Sequence, residues 1–158
     1  MLKVSHRMHP TIPSLVFAFS FCCSNLAFAQ DIASSRIERI QSAVKAVVAL
    51  QNAEGEAAVV AAIQACYASQ PDANKLEKLE ECISQDIAYA NFSAGMYRHV
   101  LKNIKQPEYL SMDALKKRVY AQSMQAGMSA SFADQFLRRL APEAIQALVP
   151  AIDALSSK

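Results

Sequence analysis

The sequence has little of what β-hairpins and phosphate-binding loops require. Its 158 residues include three glycines, no tryptophan, and no Asn-Gly or Asp-Gly pair of the kind that closes a two-residue hairpin. No segment alternates apolar and polar residues as a half-buried strand does, and there is no glycine-rich phosphate loop. Alanine, the strongest helix former, is abundant. The sequence therefore predicts an all-α protein.

Histidine and cysteine are too few for most metal and nucleophilic sites. Of three histidines and four cysteines, only His99, Cys66 and Cys82 lie beyond the N-terminal segment discussed next. A zinc site needs several His or Cys ligands, and a Ser–His–Asp or Cys–His arrangement would have to use His99. Arg98 and Lys102 put His99 on the polar side of its helix. We therefore expect a protein that is not an enzyme and holds no metal or other cofactor.

The first 29 residues have the form of a cleaved secretory signal. Two basic residues precede a short apolar core at residues 15–23, and Ala27-Phe28-Ala29 offers small residues at positions −3 and −1 of a cleavage site. The core is shorter than the roughly 20 residues that span a bilayer, so an uncleaved anchor is the weaker alternative. We expect cleavage before Gln30, a periplasmic location, and a single helical domain at residues 30–158.

Removal of this signal also removes the net positive charge. The full chain has 16 Lys and Arg against 14 Asp and Glu; Lys3 and Arg7 leave with the signal, so 16 minus 2 leaves 14 against 14. A neutral chain gives no argument for a nucleic-acid partner. Residues 31–86 carry nine acids and five bases, whereas residues 87–158 carry five acids and nine bases. The two halves can therefore neutralise each other by packing together.

Apolar residues recur every three or four positions, as in amphipathic helices. They predict helices over about 31–52 and 56–68, with Gly55 between them. A third helix, long or gently broken, begins beyond Pro71, or later, near Lys75, and runs to about Asn103. Its charged positions allow a metal or acid–base site, but a solvated face is the commoner explanation. Those positions are Lys75, Glu77, Lys78, Glu80 and Glu81. The apolar stripe ends in Phe92, Met96, Val100 and Ile104, all of which we expect to point inward. We expect the same of the apolar residues elsewhere on the helical stripes, among them Ile37, Leu76, Met124, Phe132, Ile145 and Val149.

Capping residues and prolines define the later helices. Ser111 is the predicted N-cap of a fourth helix, and Gly127 its C-terminal stop. A short helix follows around residues 132–140, and Pro142 is predicted to open a final helix that Pro150 kinks or splits. Together these elements predict a small all-α bundle of five to seven helices.

Cys66 and Cys82 are the two cysteines left after export, and such a pair is normally joined. They are 16 residues apart, and the run between them at residues 69–74 is rich in turn formers. The spacing predicts a disulfide that staples a helical hairpin. A bridge over a loop of this length stabilises a protein by about 3 kcal/mol.

A set of cations in the basic half forms a candidate binding face. Three of them recur at i, i+4 and i+7, and three follow in the next helix, which a short connection through Pro107 should bring alongside. Such a face suits an acidic partner protein or an anionic membrane surface, although a solvated face that answers the acidic half is the simpler interpretation. The six residues are Arg98, Lys102, Lys105, Lys116, Lys117 and Arg118.

Two functions agree with these features. The first is an exported, non-catalytic protein that acts by protein–protein interaction, as an inhibitor, an immunity protein or an accessory factor of an envelope assembly. The second is a periplasmic protein that binds an apolar ligand or an unfolded client chain in a cleft between alanine-rich helices. If the basic face is only solvated, the segment from Met124 to Phe136 is the next candidate for the contact surface.

Overall fold

The computed structural model describes the backbone of residues 20–69 and 75–156 and the side chains of residues 34–69 and 75–154. These residues form five α-helices and one short 3₁₀ helix, with no strand. The prediction of a small all-α bundle is therefore confirmed. The α-helices are α1 (Ser20–Glu54), α2 (Glu56–Ala68), α3 (Lys75–His99), α4 (Met112–Gln125) and α5 (Ala130–Ser156), and the 3₁₀ helix is Glu108–Leu110.

Most of the predicted signal peptide lies outside the described residues. The chain divides into two compact units, residues 1–34 and 35–158. Helix α1 begins at Ser20, so the predicted helix start near Asp31 is wrong. No proline or glycine interrupts the chain between Ser20 and Glu54, and nothing local ends a helix there. Cleavage before Gln30 stays a prediction.

Three local signals mark helix ends as the sequence predicts. Gly55 separates α1 from α2 with φ of 84°, a conformation that residues with a Cβ rarely adopt. Gly127, at φ 85°, follows α4. Its N–H donates to the carbonyl of Met124, and the next N–H donates to that of Ser123, each at 3.0 Å. This is a Schellman motif. At the other end of α4, the Ser111 hydroxyl accepts a hydrogen bond from the N–H three residues on, at 3.1 Å.

Helix α3 is the central element of the bundle. It packs against α2, α4 and α5, and side chains on most of its circumference are buried. Ile83 and Ile87 lie in the same core as Ile40 and Val44, which the second unit receives from its part of α1. The α2–α3 hairpin is closed by the predicted disulfide, since Cys66 and Cys82 are bonded with their Cα atoms 5.6 Å apart.

Helix α5 corrects the prediction of two short C-terminal helices. It runs unbroken through Pro142 and Pro150, both of which face solvent. Its buried stripe keeps one helical phase along its whole length: Ala133, Phe136, Leu140, Ala144, Ala147 and Ala151. A proline inside a helix costs about 3 kcal/mol. Packing of this continuous stripe against the core outweighs that cost, so the helix does not end.

Several large apolar residues that the sequence placed inward are exposed instead. In α5 the small side chains of Ala144, Ala147 and Ala151 occupy the contact, because they let neighbouring helices approach closely. Ile145 and Val149 are left at its edge, 41 % and 61 % exposed. Helical periodicity marks a broad apolar face, whereas neighbouring helices cover only part of it. The same correction applies to Ile37, Leu76, Val100, Ile104, Met124 and Phe132.

Candidate interaction surface

The chain leaves α3 through a cationic segment, residues 98–105, which we call the basic turn. Helix α3 ends at His99 and not near Asn103 as predicted. The first two N–H groups after the helix both donate to the carbonyl of Met96 at 2.9 Å, which closes the helical ladder. Val100 and Ile104 are consequently 65 % and 58 % exposed, and not inward. Arg98, Lys102 and Lys105 are exposed around them.

A glutamine fixes the far end of the basic turn. The side-chain amide of Gln106 donates to the hydroxyl of Ser93 on α3 at 3.2 Å and to the carbonyl of Leu110 in the 3₁₀ helix at 2.9 Å. Ser93 is buried, so the amide is anchored in the bundle. A segment held at both ends loses less conformational entropy when it binds a partner than a free loop does.

The cations of the basic turn have no ion-pair partner among the described residues. Glu56 is near this end of α3, but its carboxylate accepts a hydrogen bond from Tyr97 at 3.1 Å. Lys116, Lys117 and, elsewhere, Lys45 are likewise exposed and without an ion pair. Lys75 is half-buried and has no ion pair either, and its ammonium donates to the carbonyl of Gln125 at 3.3 Å. The other described cations are all in ion pairs: Arg36, Arg39, Lys78, Arg118, Arg138 and Arg139.

Arg118 does not belong to the exposed face to which the sequence assigned it. Its guanidinium donates to both carboxylate oxygens of Asp86 on α3, at 2.6 and 2.9 Å, and lies 3.9 Å from the ring centroid of Tyr109. Its side chain is 17 % exposed. Burial alone would lower the pKa of Arg118, but its hydrogen bonds to Asp86 and the negative charge of that residue outweigh burial, and the pKa is raised.

Asp86 is the centre of a buried polar network that the sequence interpretation missed. Besides Arg118, its carboxylate accepts a hydrogen bond from the Tyr67 hydroxyl of α2 at 3.1 Å. Burial, and then the charge of Asp86, raise the pKa of the Tyr67 phenol well above its ordinary value. The available signal was a single acid that shares a helix face with Ile83, three residues before it, and Ala90, four residues after it. Such a position in a helix favours a buried, paired carboxylate.

A second network corrects the interpretation of residues 75–81 as a wholly solvated face. Glu80 is buried, and one of its oxygens accepts from Arg36 at 3.1 Å and from Arg139 at 2.8 Å. Arg39 lies 3.5 Å from the other oxygen, and Arg36 also pairs with Glu143. The ion pairs Glu80–Arg139 and Asp86–Arg118 join the acidic half, residues 31–86, to the basic half, residues 87–158. The charge asymmetry of the sequence predicts such pairing. The basic turn takes no part in either network.

Helices α3, α4 and α5 form an open groove of about 330 Å³. Ile87, Leu115, Leu137 and Ala141 supply apolar lining, and Lys116 lines it as well. The structure therefore divides the six predicted cations among three settings. Three lie in the basic turn, Lys116 lines the groove, with Lys117 exposed beside it in sequence, and Arg118 is paired with Asp86.

The described part of the chain contains no polar partner for its histidine and no cluster of metal ligands. His99 is exposed at the end of α3, as predicted, and no described side chain is hydrogen-bonded to it. Within the described residues no group of three His, Cys, Asp or Glu could hold a metal ion. In the same part of the chain, no helix combines the length and apolar character needed to cross a membrane.

Comparison of the chain with protein-family models, with curated proteins and with solved structures finds no match.

Proposed function

We propose that the protein is an exported, non-catalytic binding protein that acts by protein–protein interaction, with the basic turn as its contact surface for an acidic partner. The observation that carries the proposal is the contrast between paired and unpaired cations. Six described cations are in ion pairs, while Arg98, Lys102 and Lys105 have no counter-ion and lie in one segment with the exposed Val100 and Ile104. Protein interfaces typically combine apolar side chains with charged ones in this way.

Magnitudes favour an acidic protein over a membrane as the partner. Each Lys or Arg contributes about 1 kcal/mol at an anionic bilayer, and electrostatic anchors typically use about four to eight of them. The basic turn has three. The basic turn contains neither Trp nor Phe, the aromatic residues that interfacial segments favour. A protein partner can add shape complementarity and directed hydrogen bonds to the same three charges.

The periplasm is part of this proposal. The Cys66–Cys82 bond supports it, because structural disulfides persist in oxidising compartments and are rare in the cytosol. The signal-like residues 1–29 supply the route. N-terminal sequencing of the protein recovered from the envelope should begin at Gln30, within a residue or two. Recovery of an intact Met1 would contradict export by cleavage. Inhibitor, immunity protein and envelope accessory factor are the three roles we propose for such a binder.

Partner capture from the native envelope extract tests the proposal. The immobilised mature protein should retain a stoichiometric acidic protein at about 0.1 M salt and release it at about 1 M, where the Debye length falls from about 10 Å to about 3 Å. The variant Arg98→Glu/Lys102→Glu/Lys105→Glu should lose the capture. All three side chains are exposed and unpaired, so its helicity by circular dichroism should be unchanged.

A control variant separates the surface from overall charge. Lys45→Glu/Lys75→Glu reverses two charges outside the basic turn, as Lys102→Glu/Lys105→Glu does within it; the first variant should retain the partner and the second should lose it. Equal loss in both variants would mean that net charge, and not the basic turn, governs binding. Unchanged capture by the basic-turn variant would refute the proposed surface. Binding of anionic vesicles in place of a protein would assign the same surface to the membrane.

A further inference from the structure

The groove between α3, α4 and α5 has an apolar lining that the bundle leaves open. Ile87 and Leu115 close its floor and are each 1 % exposed. Met112 and Ile145 line its sides, 43 % and 41 % exposed. Its volume of about 330 Å³ is at the small end of the range for ligand sites, about 300–1,000 Å³. An apolar groove of this size takes a single hydrocarbon chain and not a two-chain lipid.

Of the charged side chains that line the groove, Lys116 is the one without an ion-pair partner among the described residues. Asp134 accepts hydrogen bonds from Tyr120 at 2.9 Å and from Arg138 at 2.8 Å, so this acid and its arginine neutralise each other. The side-chain amide of Asn91 donates to the carbonyl of Ile87 at 2.8 Å, which leaves its oxygen as an acceptor. Lys116 has no ion pair among the described residues, and Asp113, one turn before it, forms none with it.

We propose that this groove binds an alkyl-chain carboxylate, with the hydrocarbon chain along the apolar lining and the carboxylate at Lys116. An unpaired ammonium beside an apolar groove attracts an anionic head group and repels a cationic one. The site is separate from the basic turn, and it does not depend on the proposed protein partner.

The length of the groove selects the chain. Along α5 it extends from Asp134 to Ile145, and its apolar part from Leu137 to Ile145 covers about 12 Å at 1.5 Å per residue. Extended hydrocarbon advances roughly 1.25 Å per carbon for bonds of about 1.5 Å. About ten methylene groups therefore match the lining, which makes dodecanoate a suitable probe.

Titration calorimetry of the mature protein with dodecanoate, below the micelle concentration, tests the proposal, with amide chemical-shift mapping to locate the ligand. We expect binding with shifts confined to residues of the groove. Dodecyltrimethylammonium, which has the same chain and the opposite charge, should bind at least about tenfold more weakly. Lys116→Glu should weaken dodecanoate binding about tenfold or more. Lys45→Glu, the same charge reversal at another unpaired lysine, should leave it unchanged.

A second variant tests the apolar part of the site. Ala141→Phe fills the groove from its half-exposed wall and should abolish binding of dodecanoate while leaving Lys116 in place. Equal affinity for dodecanoate and dodecyltrimethylammonium would overturn the role of Lys116. Three results would overturn the site itself. They are amide chemical-shift changes outside the groove, equal losses of dodecanoate affinity in Lys116→Glu and Lys45→Glu, and no heat of binding from the folded wild-type protein.

Discussion

Replacement of Arg118 by Met should be among the most destabilising single changes in the bundle. Met resembles Arg in length and helix propensity, so the substitution removes the charge and the hydrogen bonds of the guanidinium while it keeps the length of the side chain. The carboxylate of Asp86, 2 % exposed, then loses two charged hydrogen bonds at 2.6 and 2.9 Å and keeps only that from Tyr67. Breaking a buried ion pair in this way costs about 3–5 kcal/mol. Because Arg118 is 17 % exposed, we expect about 3 kcal/mol.

Substitution of the other partner, Asp86, should lower the free energy of unfolding by less. Asp86→Asn leaves the guanidinium of Arg118 with some access to solvent and with the Tyr109 carbonyl, to which it donates at 2.5 Å. We therefore expect about 2 kcal/mol, the magnitude of a lost hydrogen bond to a charged group. The double variant Asp86→Leu/Arg118→Met removes both charges and should recover most of the loss, because apolar pairs often replace buried ion pairs without penalty.

Urea unfolding followed by far-ultraviolet circular dichroism measures these differences, since the chain has no tryptophan to report by fluorescence. A total stability of about 5–15 kcal/mol leaves each variant folded in water. The expected order of stability is wild type, then Asp86→Asn, then Arg118→Met, with the double variant above Arg118→Met. A loss below about 1 kcal/mol for Arg118→Met, or a larger loss for Asp86→Asn, would refute the assignment of a buried pair.

Three further changes follow from other features of the bundle. The denatured, unreduced mature protein should have no free thiol, and Cys66→Ser should lower the unfolding free energy in urea by about 2–4 kcal/mol; two titratable thiols would show that the disulfide is absent. Pro142→Ala should stabilise the protein by about 1–3 kcal/mol, because the ring is exposed and a proline inside a helix lacks the N–H of the helical ladder; a loss of stability would show that the packing of α5 needs the proline. The raised pKa of Tyr67 means that the folded state keeps a proton that the unfolded state releases near pH 10. Unfolding free energy should therefore fall as the pH rises above about 10, and less steeply in Tyr67→Phe; identical alkaline slopes for the two proteins would contradict burial of that phenol.

Helix ends set by a few adjacent residues could be predicted from the sequence. Ser111 caps α4 through its own hydroxyl, and Gly55 and Gly127 adopt the positive φ that their position needs. These signals depend on neighbours within about four residues. The disulfide was predictable for another reason, since Cys66 and Cys82 are the only cysteines beyond the predicted signal peptide.

Features that depend on distant residues could not be predicted in this way. Glu80 looked solvated because Arg139, one of its partners, is 59 residues away, and the partner of Asp86 is 32 residues away. Local rules place a boundary between two helices at Pro142, yet the buried stripe of α5 continues past it. Each outcome was decided by tertiary packing or ion pairing, which overrides local propensity.

Site-specific photo-crosslinking in the native envelope tests the central claim most directly. A photoreactive residue at Val100 samples the basic turn, and the same residue at Val149 on α5 is a matched control, because the two valines are 65 % and 61 % exposed. The proposed function predicts one dominant adduct, with an acidic protein, from position 100 and none from position 149. The adduct should disappear when Lys102 and Lys105 are replaced by Glu. A protein adduct from position 149 alone, or only lipid adducts from position 100, would contradict it.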